Sequence, residues 1–203
     1  FPSESPALLS VGQDIGNYRL TRLIGEGGMG QVFEAEQAQI GGRVAIKTLH
    51  QEHSRDSETA TRFLNEARAV NLIKHPSIVT MFEYGKLPDG TIYIVMEYLE
   101  GESLSQRIEG GGLTIPDTMR LCRQIASALQ AAHDKGVVHR DLKPANVMIV
   151  PDPEAAADER AKLLDFGIAK LSEEHQTRDA VVKTRAEALL GTPVYMSPEQ
   201  CDG

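Results

Sequence analysis

Thr21-Arg22-Leu23-Ile24-Gly25-Glu26-Gly27-Gly28-Met29-Gly30-Gln31-Val32 is the stretch that decides the fold. On its two sides, Tyr18 to Ile24 and Gln31 to Gln37 read as strands, so the glycines form the loop of a hairpin. Such a loop lets backbone N–H groups approach phosphate oxygens with no side chain in the way, and Gly25, Gly27 and Gly30 suit that use. An ordinary flexible hairpin is the competing reading of these residues alone. No Gly-Lys-Ser/Thr follows, which excludes a P-loop. A strand rather than a helix comes next, which excludes the dinucleotide-binding fingerprint.

Outward from the loop, Val44 to Leu49 is a third strand. Lys47 follows Val44-Ala45-Ile46 there, where a charge is costly unless paired. From Ser57 to Lys74 the spacing is helical, with Phe63, Ala67, Val70 and Ile73 on one face. Glu66 points with that face and is the expected partner of Lys47. Ile78 to Tyr84 and Thr91 to Tyr98 read as two further strands around the turn Lys86-Leu87-Pro88-Asp89-Gly90. Between Glu100 and Gly112, glycine and polar residues mark a passage between lobes and a first short helix. A long helix is predicted from Ile115 to Lys135, N-capped by Thr114 and ended by Gly136. Its expected buried stripe is Met119, Cys122, Ile125, Ala126, Leu129 and Ala132. The acidic, Pro/Ala-rich segment from Pro151 to Arg160 reads as a solvated loop interrupting a hairpin. Residues Phe1 to Asn17 read as a mobile tail.

The 203 residues carry a formal net charge of −8, with 41% hydrophobic and 25% charged residues. That is an ordinary globular composition, and without a dense Lys/Arg block it argues against nucleic acid or anionic lipid as the main partner. Cys122 and Cys201 are the two cysteines, too few for a disulfide framework, so a reducing, cytoplasmic setting is expected and both read as unpaired thiols. No apolar run reaches the roughly 20 residues that would cross a bilayer.

Downstream, His139-Arg140-Asp141-Leu142-Lys143-Pro144-Ala145-Asn146 and Asp165-Phe166-Gly167 complete an ordered series that begins with the glycine loop, Lys47 and Glu66. Together they supply the groups that phosphoryl transfer from a nucleotide requires, and it is their order that makes coincidence improbable. The chain resembles the eukaryotic-type serine/threonine protein kinases, bacterial members most of all, from about Tyr18 to Gln200. The resemblance implies an α+β, bilobal fold: an antiparallel-sheet lobe over 18–99 that binds ATP, and a partial, mainly helical lobe over 100–203 with the catalytic and activation loops.

It further implies that Ile24, Gly25, Glu26, Gly27, Gly28, Met29, Gly30, Gln31 and Val32 cover the nucleotide. Lys47, paired with Glu66, would hold the α- and β-phosphates. Ala45, Val32 and Met148 would enclose the adenine, Met96 would border it, and the backbone of Glu97 and Leu99 would bond its edge. Asp141 would take or orient the proton of the attacking hydroxyl, and Lys143 would neutralise the transferring phosphate. Asn146 and Asp165 would hold Mg2+, or Mn2+ in its place. Lys143 and Gly191-Thr192 suit serine and threonine as acceptors in protein substrates, and pairing of two kinase copies would allow activation in trans. Arg140, read as buried beside the base, suggests control by phosphorylation at Thr177 or Thr184.

One departure from the family stands out. The helices that normally follow the Ser197-Pro198-Glu199 position do not appear, so the chain reads as C-terminally truncated. The alternative function is therefore an inactive remnant that binds a nucleotide or a partner as a regulatory module.

Overall fold

Burial that alternates along Gly30–Gln37 sorts the first sheet into a core face and a second face. A computed structural model describes residues 9–28, 30–166 and 193–202, without the side chains of Glu52, Arg55, Glu58, Arg62, Glu66, Pro193, Cys201 and Asp202. The chain groups into two units: residues up to Leu64 with Thr80–Leu99, and Asn65–Val79 with the residues from Glu100 onward.

The first unit holds β1 (Asp14–Ile15), β2 (Tyr18–Gly27), β3 (Gly30–Gln37), β4 (Arg43–Leu49), β5 (Met81–Lys86) and β6 (Ile92–Glu97). They form an antiparallel sheet in the order β1-β2-β3-β4-β6-β5. Register irregularities between Leu20 and Arg22 and between Leu23 and Gly25 interrupt the β2–β3 ladder, as bulges that bend a strand do. Ile15, Tyr18, Leu20, Phe33, Ala35, Val44, Ile46, Tyr93 and Val95 pack into one core. Because the strand period is two, Val32, Ala45, Lys47, Ile94 and Met96 share the opposite face, where Val32 pairs with Lys47, Lys47 with Ile94 and Ala45 with Met96.

The expected mobile tail over 1–17 is shorter than its composition suggested. Ile15 is fully buried in that core, Gly12 N–H donates to Leu20 O at 2.8 Å, and Ala38 N–H donates to Asn17 O at 2.9 Å. A single isoleucine is enough to draw the segment into the sheet, and no periodicity in two residues of strand could announce it. Residues 1–8 lie outside the described residues.

Two helices follow β4. The first, α1 (Gln51–Arg55), was not anticipated, since five residues are too few to display a helical period. The second, α2 (Ser57–Asn71), buries Phe63, Ala67 and Val70 as its spacing predicted. The strand expected from Ile78 starts at Met81 instead. Ile78 makes an isolated parallel bridge to Leu163, and Val79 N–H donates to Leu163 O at 3.1 Å.

The second unit contains β7 (Glu102–Ser103), α3 (Leu104–Glu109), α4 (Ile115–His133), β8 (Val147–Pro151), β9 (Glu159–Leu163) and α5 (Pro198–Asp202), with β7-β8-β9 as a small antiparallel sheet. A capping box of Ser103 and Gln106 starts α3. At the start of α4, Thr114 Oγ1 accepts the Asp117 N–H at 3.3 Å. Gly136, at φ 72°, follows the helix and its N–H donates to His133 O at 2.8 Å, the left-handed exit that glycine allows.

The stripe predicted on α4 is corrected. Leu121, Ala128 and Ala132 are buried, whereas Cys122 and Ala126 are exposed and Met119 is 60% exposed. The seam toward the β8–β9 hairpin runs through a polar residue. Gln124 Nε2 donates to Glu159 O at 3.2 Å, and its Oε1 accepts the Ala161 N–H at 2.6 Å. Of the predicted stripe, Ala132 is buried and Ile125 and Leu129 are half-buried, while the Gln124 amide marks a contact that hydropathy does not show. The 151–160 segment is likewise more anchored than a solvated loop: Arg120 Nη1 donates to Ala156 O at 2.9 Å, and Arg160 pairs with Asp152. Glu159 receives both Arg107, at 2.9 Å, and Arg120, at 3.1 Å.

Candidate active site

The four glycines of the loop do different jobs. A Cβ on Gly30 would lie 1.7 Å from the Thr48 carbonyl oxygen, so β3 can approach β4 there only with glycine. A Cβ on Gly25, Gly27 or Gly28 would meet nothing within 4 Å, and none of the three has a positive φ. The fold has no steric use for glycine at those three positions. Bare backbone beside open space is what an approaching phosphate needs. Gly27 pairs with Gly30, with Gly28 in the turn after it; Met29 lies outside the described residues. Ile24 is exposed. Gln31 is turned inward, and its Nε2 donates to Glu26 Oε1 at 3.3 Å.

Lys47 is half-buried on the sheet face that also carries Val32, Ala45 and Met96. Ala45 and Met96 are buried, so this face is apolar on both sides of Lys47's strand. The side chain of Glu66 lies outside the described residues. At the end of β6, Glu97 N–H donates to Thr80 O at 2.9 Å, and Glu97 Oε1 accepts the Thr80 N–H at 2.6 Å. Those bonds fix the backbone just before Tyr98 and Leu99. The sequence reading missed what holds Tyr98. The Arg43 guanidinium lies over its ring at 4.1 Å, and Arg22 Nη2 donates to its hydroxyl at 3.0 Å. Glu34 accepts from both arginines, at 2.9 and 2.8 Å. Burial opposes ionisation of Glu34, but the hydrogen bonds from Arg22 and Arg43 outweigh it and hold the carboxyl below its usual range. Residues 9 to 76 positions apart in sequence meet here, a pattern no local motif encodes.

In the second unit the segment after His139 turns sharply. Asp141 N–H donates back to His139 O at 2.8 Å around Arg140, whose φ is 59°. A left-handed arginine is a strained residue, and such strain gathers at functional sites. Arg140 is exposed there, not buried as expected, because this turn carries its side chain outward. Gln200 Nε2 in α5 donates to its carbonyl at 2.7 Å. Thr177 and Thr184 lie outside the described residues.

Asp141, Lys143 and Asn146 come together. Lys143 Nζ is 3.0 Å from Asp141 Oδ2. Asn146 Nδ2 donates to Asp141 Oδ2 at 3.0 Å and to the Asp141 carbonyl at 2.9 Å. A single 3-10 turn, Pro144–Asn146, brings Asn146 back over Asp141 and buries it. The hairpin then sets Asp165. Val147 pairs with Leu163, and Leu164 N–H donates to Asn146 O at 2.9 Å, so Asp165 leaves the strand one residue beyond Asn146's partner. Asp165 also has a positive φ, 41°. Met148 is half-buried on β8, opposite Ser103 and Lys162.

His139 is buried against Phe166, with ring centroids 4.6 Å apart and a 32° tilt. Burial depresses its pKa, so the imidazole is held neutral. Among the described residues no group of three or more His, Cys, Asp or Glu side chains could hold a metal ion unaided. The oxygen donors of Asn146 and Asp165 instead suit a hard cation that takes its remaining ligands from phosphates and water. No helix of the described residues is long and apolar enough to cross a membrane.

This arrangement agrees with what the chain is similar to. The chain is 42% identical over 195 residues to the serine/threonine-protein kinase pkn3 of Myxococcus xanthus, covering 95% of this chain and 35% of that protein. It is 41% identical over 193 residues to the serine/threonine-protein kinase PknA of Mycobacterium tuberculosis, covering 93% of this chain and 42% of that protein. The chain thus spans well under half the length of these curated relatives. Among solved structures, the Mycobacterium tuberculosis PknI kinase domain matches with a TM-score of 0.67 and 29% identity, over 79% of this chain and 62% of that one. The model of the protein kinase domain matches residues 18–203. Sheet, glycine hairpin, the Asp141–Asn146 turn and sequence likeness converge, and the chain belongs to the protein kinase domain family.

Proposed function

We propose that this protein transfers the γ-phosphate of ATP to serine and threonine hydroxyls of proteins, its own chain included. The observation that carries the reading is the Asp141–Lys143–Asn146 cluster, in which one carboxylate is oriented by an amide and an ammonium within about one turn of chain. The acceptor oxygen attacks the γ-phosphorus, the bond to the β–γ bridging oxygen breaks, ADP leaves, and the hydroxyl proton passes to Asp141. Lys143 shifts its charge toward the phosphoryl oxygens as negative charge spreads over them.

Asn146 commits its Nδ2 to Asp141, so its Oδ1 would be the atom to hold a metal, and Asp165 would supply the charged ligand. Mg2+ is the proposed ion, with Mn2+ as a substitute; bound there with ATP, it would offset phosphate charge. From the first unit, Gly25, Gly27 and Gly28 offer open backbone to phosphate, and Lys47 offers a cation on an apolar face. Val32, Ala45 and Met96 supply the adenine surface of the first unit, and Met148 is the nucleotide-binding residue proposed in the second. Because the Glu97 N–H is already used by Thr80, its carbonyl and the Leu99 backbone are the groups proposed to meet the adenine edge. A cytoplasmic location and phosphorylation between paired copies belong to the same proposal.

The test is mass spectrometry of the protein after incubation with Mg-ATP, with Asp141→Asn alongside. Phosphate should appear on serine or threonine in the parent and not in the variant, while the variant's ATP affinity stays within about twofold, since a base that acts on the acceptor adds little to nucleotide binding. Equal phosphorylation of parent and variant removes Asp141 from the reaction and overturns the assignment.

A further inference from the structure

Two histidines reach the glycine hairpin from outside it. His50 Nε2 lies 2.9 Å from the Gly27 carbonyl oxygen, and His53 Nε2 lies 3.3 Å from the Gly28 carbonyl oxygen. A carbonyl can only accept, so each ring carries its proton on Nε2 and donates it. His50 is the residue before α1, in the capping position, yet its side chain makes no capping bond to the helix. Its ring is committed to the hairpin instead.

The short helix that carries these rings is firmly tied to the sheet. Ser54 is buried; its Oγ donates to Leu49 O at 3.4 Å and accepts the Ile92 N–H at 3.1 Å. Gln51 Nε2 donates to Asp89 Oδ2 at 3.2 Å in the turn between β5 and β6. Thus α1 is fixed to both β4 and β6, while Gly27 and Gly28 have no side chains of their own to hold them. Glycine is the residue with most backbone freedom to lose, so an unsupported glycine tip would sample many peptide orientations.

We infer that His50 and His53 are positioning residues that orient the peptide planes of the glycine hairpin for the nucleotide's phosphates. In a trans peptide the C=O and the next N–H point in opposite directions. No cis peptide occurs among the described residues, so when His50 draws the Gly27 carbonyl toward α1, the Gly28 N–H is turned away from α1. A Cβ added at Gly27 or Gly28 would meet nothing within 4 Å, so the backbone there has open space beside it. The imidazoles do not touch the nucleotide. They act through the backbone they hold, preorganising donors that would otherwise have to be ordered on binding.

This inference rests on the nucleotide-binding reading above, and the experiment separates the two. ATP and adenosine dissociation constants are measured by equilibrium titration for the parent, for His50→Ala/His53→Ala and for His50→Gln/His53→Gln, each with a thermal melt. The double alanine variant should bind ATP about tenfold more weakly, the scale of two hydrogen bonds lost, with adenosine unchanged within about twofold. Glutamine, whose amide nitrogen can stand near the Nε2 position, should restore most of the ATP affinity. Unchanged ATP affinity in the alanine variant overturns the positioning role. So does equal weakening of ATP and adenosine, which would mark a general effect on the fold. A parent that binds adenosine but not ATP, or neither, overturns the nucleotide-binding reading itself and this inference with it.

Discussion

The contrast between Gly30 and Gly27 can be worked out from the structure and tested directly. In Gly30→Ala the new Cβ would sit 1.7 Å from Thr48 O, 2.8 Å from its carbonyl carbon and 3.1 Å from Leu49 Cα, where ordinary contact begins at 3.4 Å. All three atoms are backbone, so no side chain can swing aside. Relief requires β3 and β4 to part where Gly30 pairs with Leu49 and Gln31 with Thr48. Overpacking of this kind costs about 3 kcal/mol, which lowers Tm by roughly 6–12 °C in a chain of this length. Gly27→Ala meets nothing within 4 Å and needs no positive φ, so its stability should stay within about 1 kcal/mol of the parent. Its cost falls on the ligand. Displacing a phosphate from one backbone N–H forfeits a hydrogen bond to a charged group, about 1.5–3 kcal/mol, or roughly tenfold or more in ATP affinity. Calorimetric melts and ATP titrations of both variants decide the matter. If Gly30→Ala melts with the parent, the close approach to Thr48 is not a constraint; if Gly27→Ala binds ATP as tightly as the parent, the open space beside it is not the phosphate site.

Three further outcomes are expected. Phe33→Ala removes one of the largest fully buried side chains of the first sheet and should cost about 3–5 kcal/mol, read as a lower denaturation midpoint; a loss under about 1 kcal/mol would show that the site collapses around the gap. Burial lowers the pKa of His139 and of His75, so the unfolded chain takes up their protons more readily than the folded one. Stability is then complete above the unfolded value of about 6.5 and declines as pH falls below it, and His139→Leu should flatten the Tm profile between about pH 7.5 and 5.5; an unchanged profile would remove His139 from the linkage. Glu159→Gln takes the shared anion from Arg107 and Arg120, whose hydrogen bonds hold its carboxyl below the usual range. Since Glu159 is about 30% exposed, the loss should be near 1 kcal/mol at pH 7 and vanish in acid as the carboxyl protonates, which melts at both pH values would reveal.

The parts of the molecule that were legible in the sequence are those whose reason is local. The glycine hairpin, the β4 strand around Lys47 and the Thr114 cap each declare themselves within a few residues, and each is found where its pattern placed it. What escaped the reading depends on partners far along the chain. Arg43 and Arg22 recognise Tyr98 only after β2, β3, β4 and β6 are paired in one sheet, and Gln124 marks a contact of α4 only because Glu159 and Ala161 present backbone groups to it. Arg140 shows a different limit: the residue type was compatible with burial, and the turn that exposes it is a matter of dihedral angle, which composition does not express. Gly30 was grouped with the phosphate loop by spacing, whereas its neighbours give it a second duty in strand packing.

The left-handed dihedrals at Arg140 and Asp165 carry one more consequence, which concerns chirality. An L-residue pays about 1–2 kcal/mol to stand there, while its mirror image would stand there at rest. A semisynthetic chain with D-arginine at position 140 should therefore be at least as stable as the natural one, and the same holds for D-aspartate at position 165, although each would aim its side chain along a different line. Stability and side-chain direction can in this way be uncoupled at the two turns, so that any loss of function in such a chain reports on where the side chain points and not on whether the backbone folds.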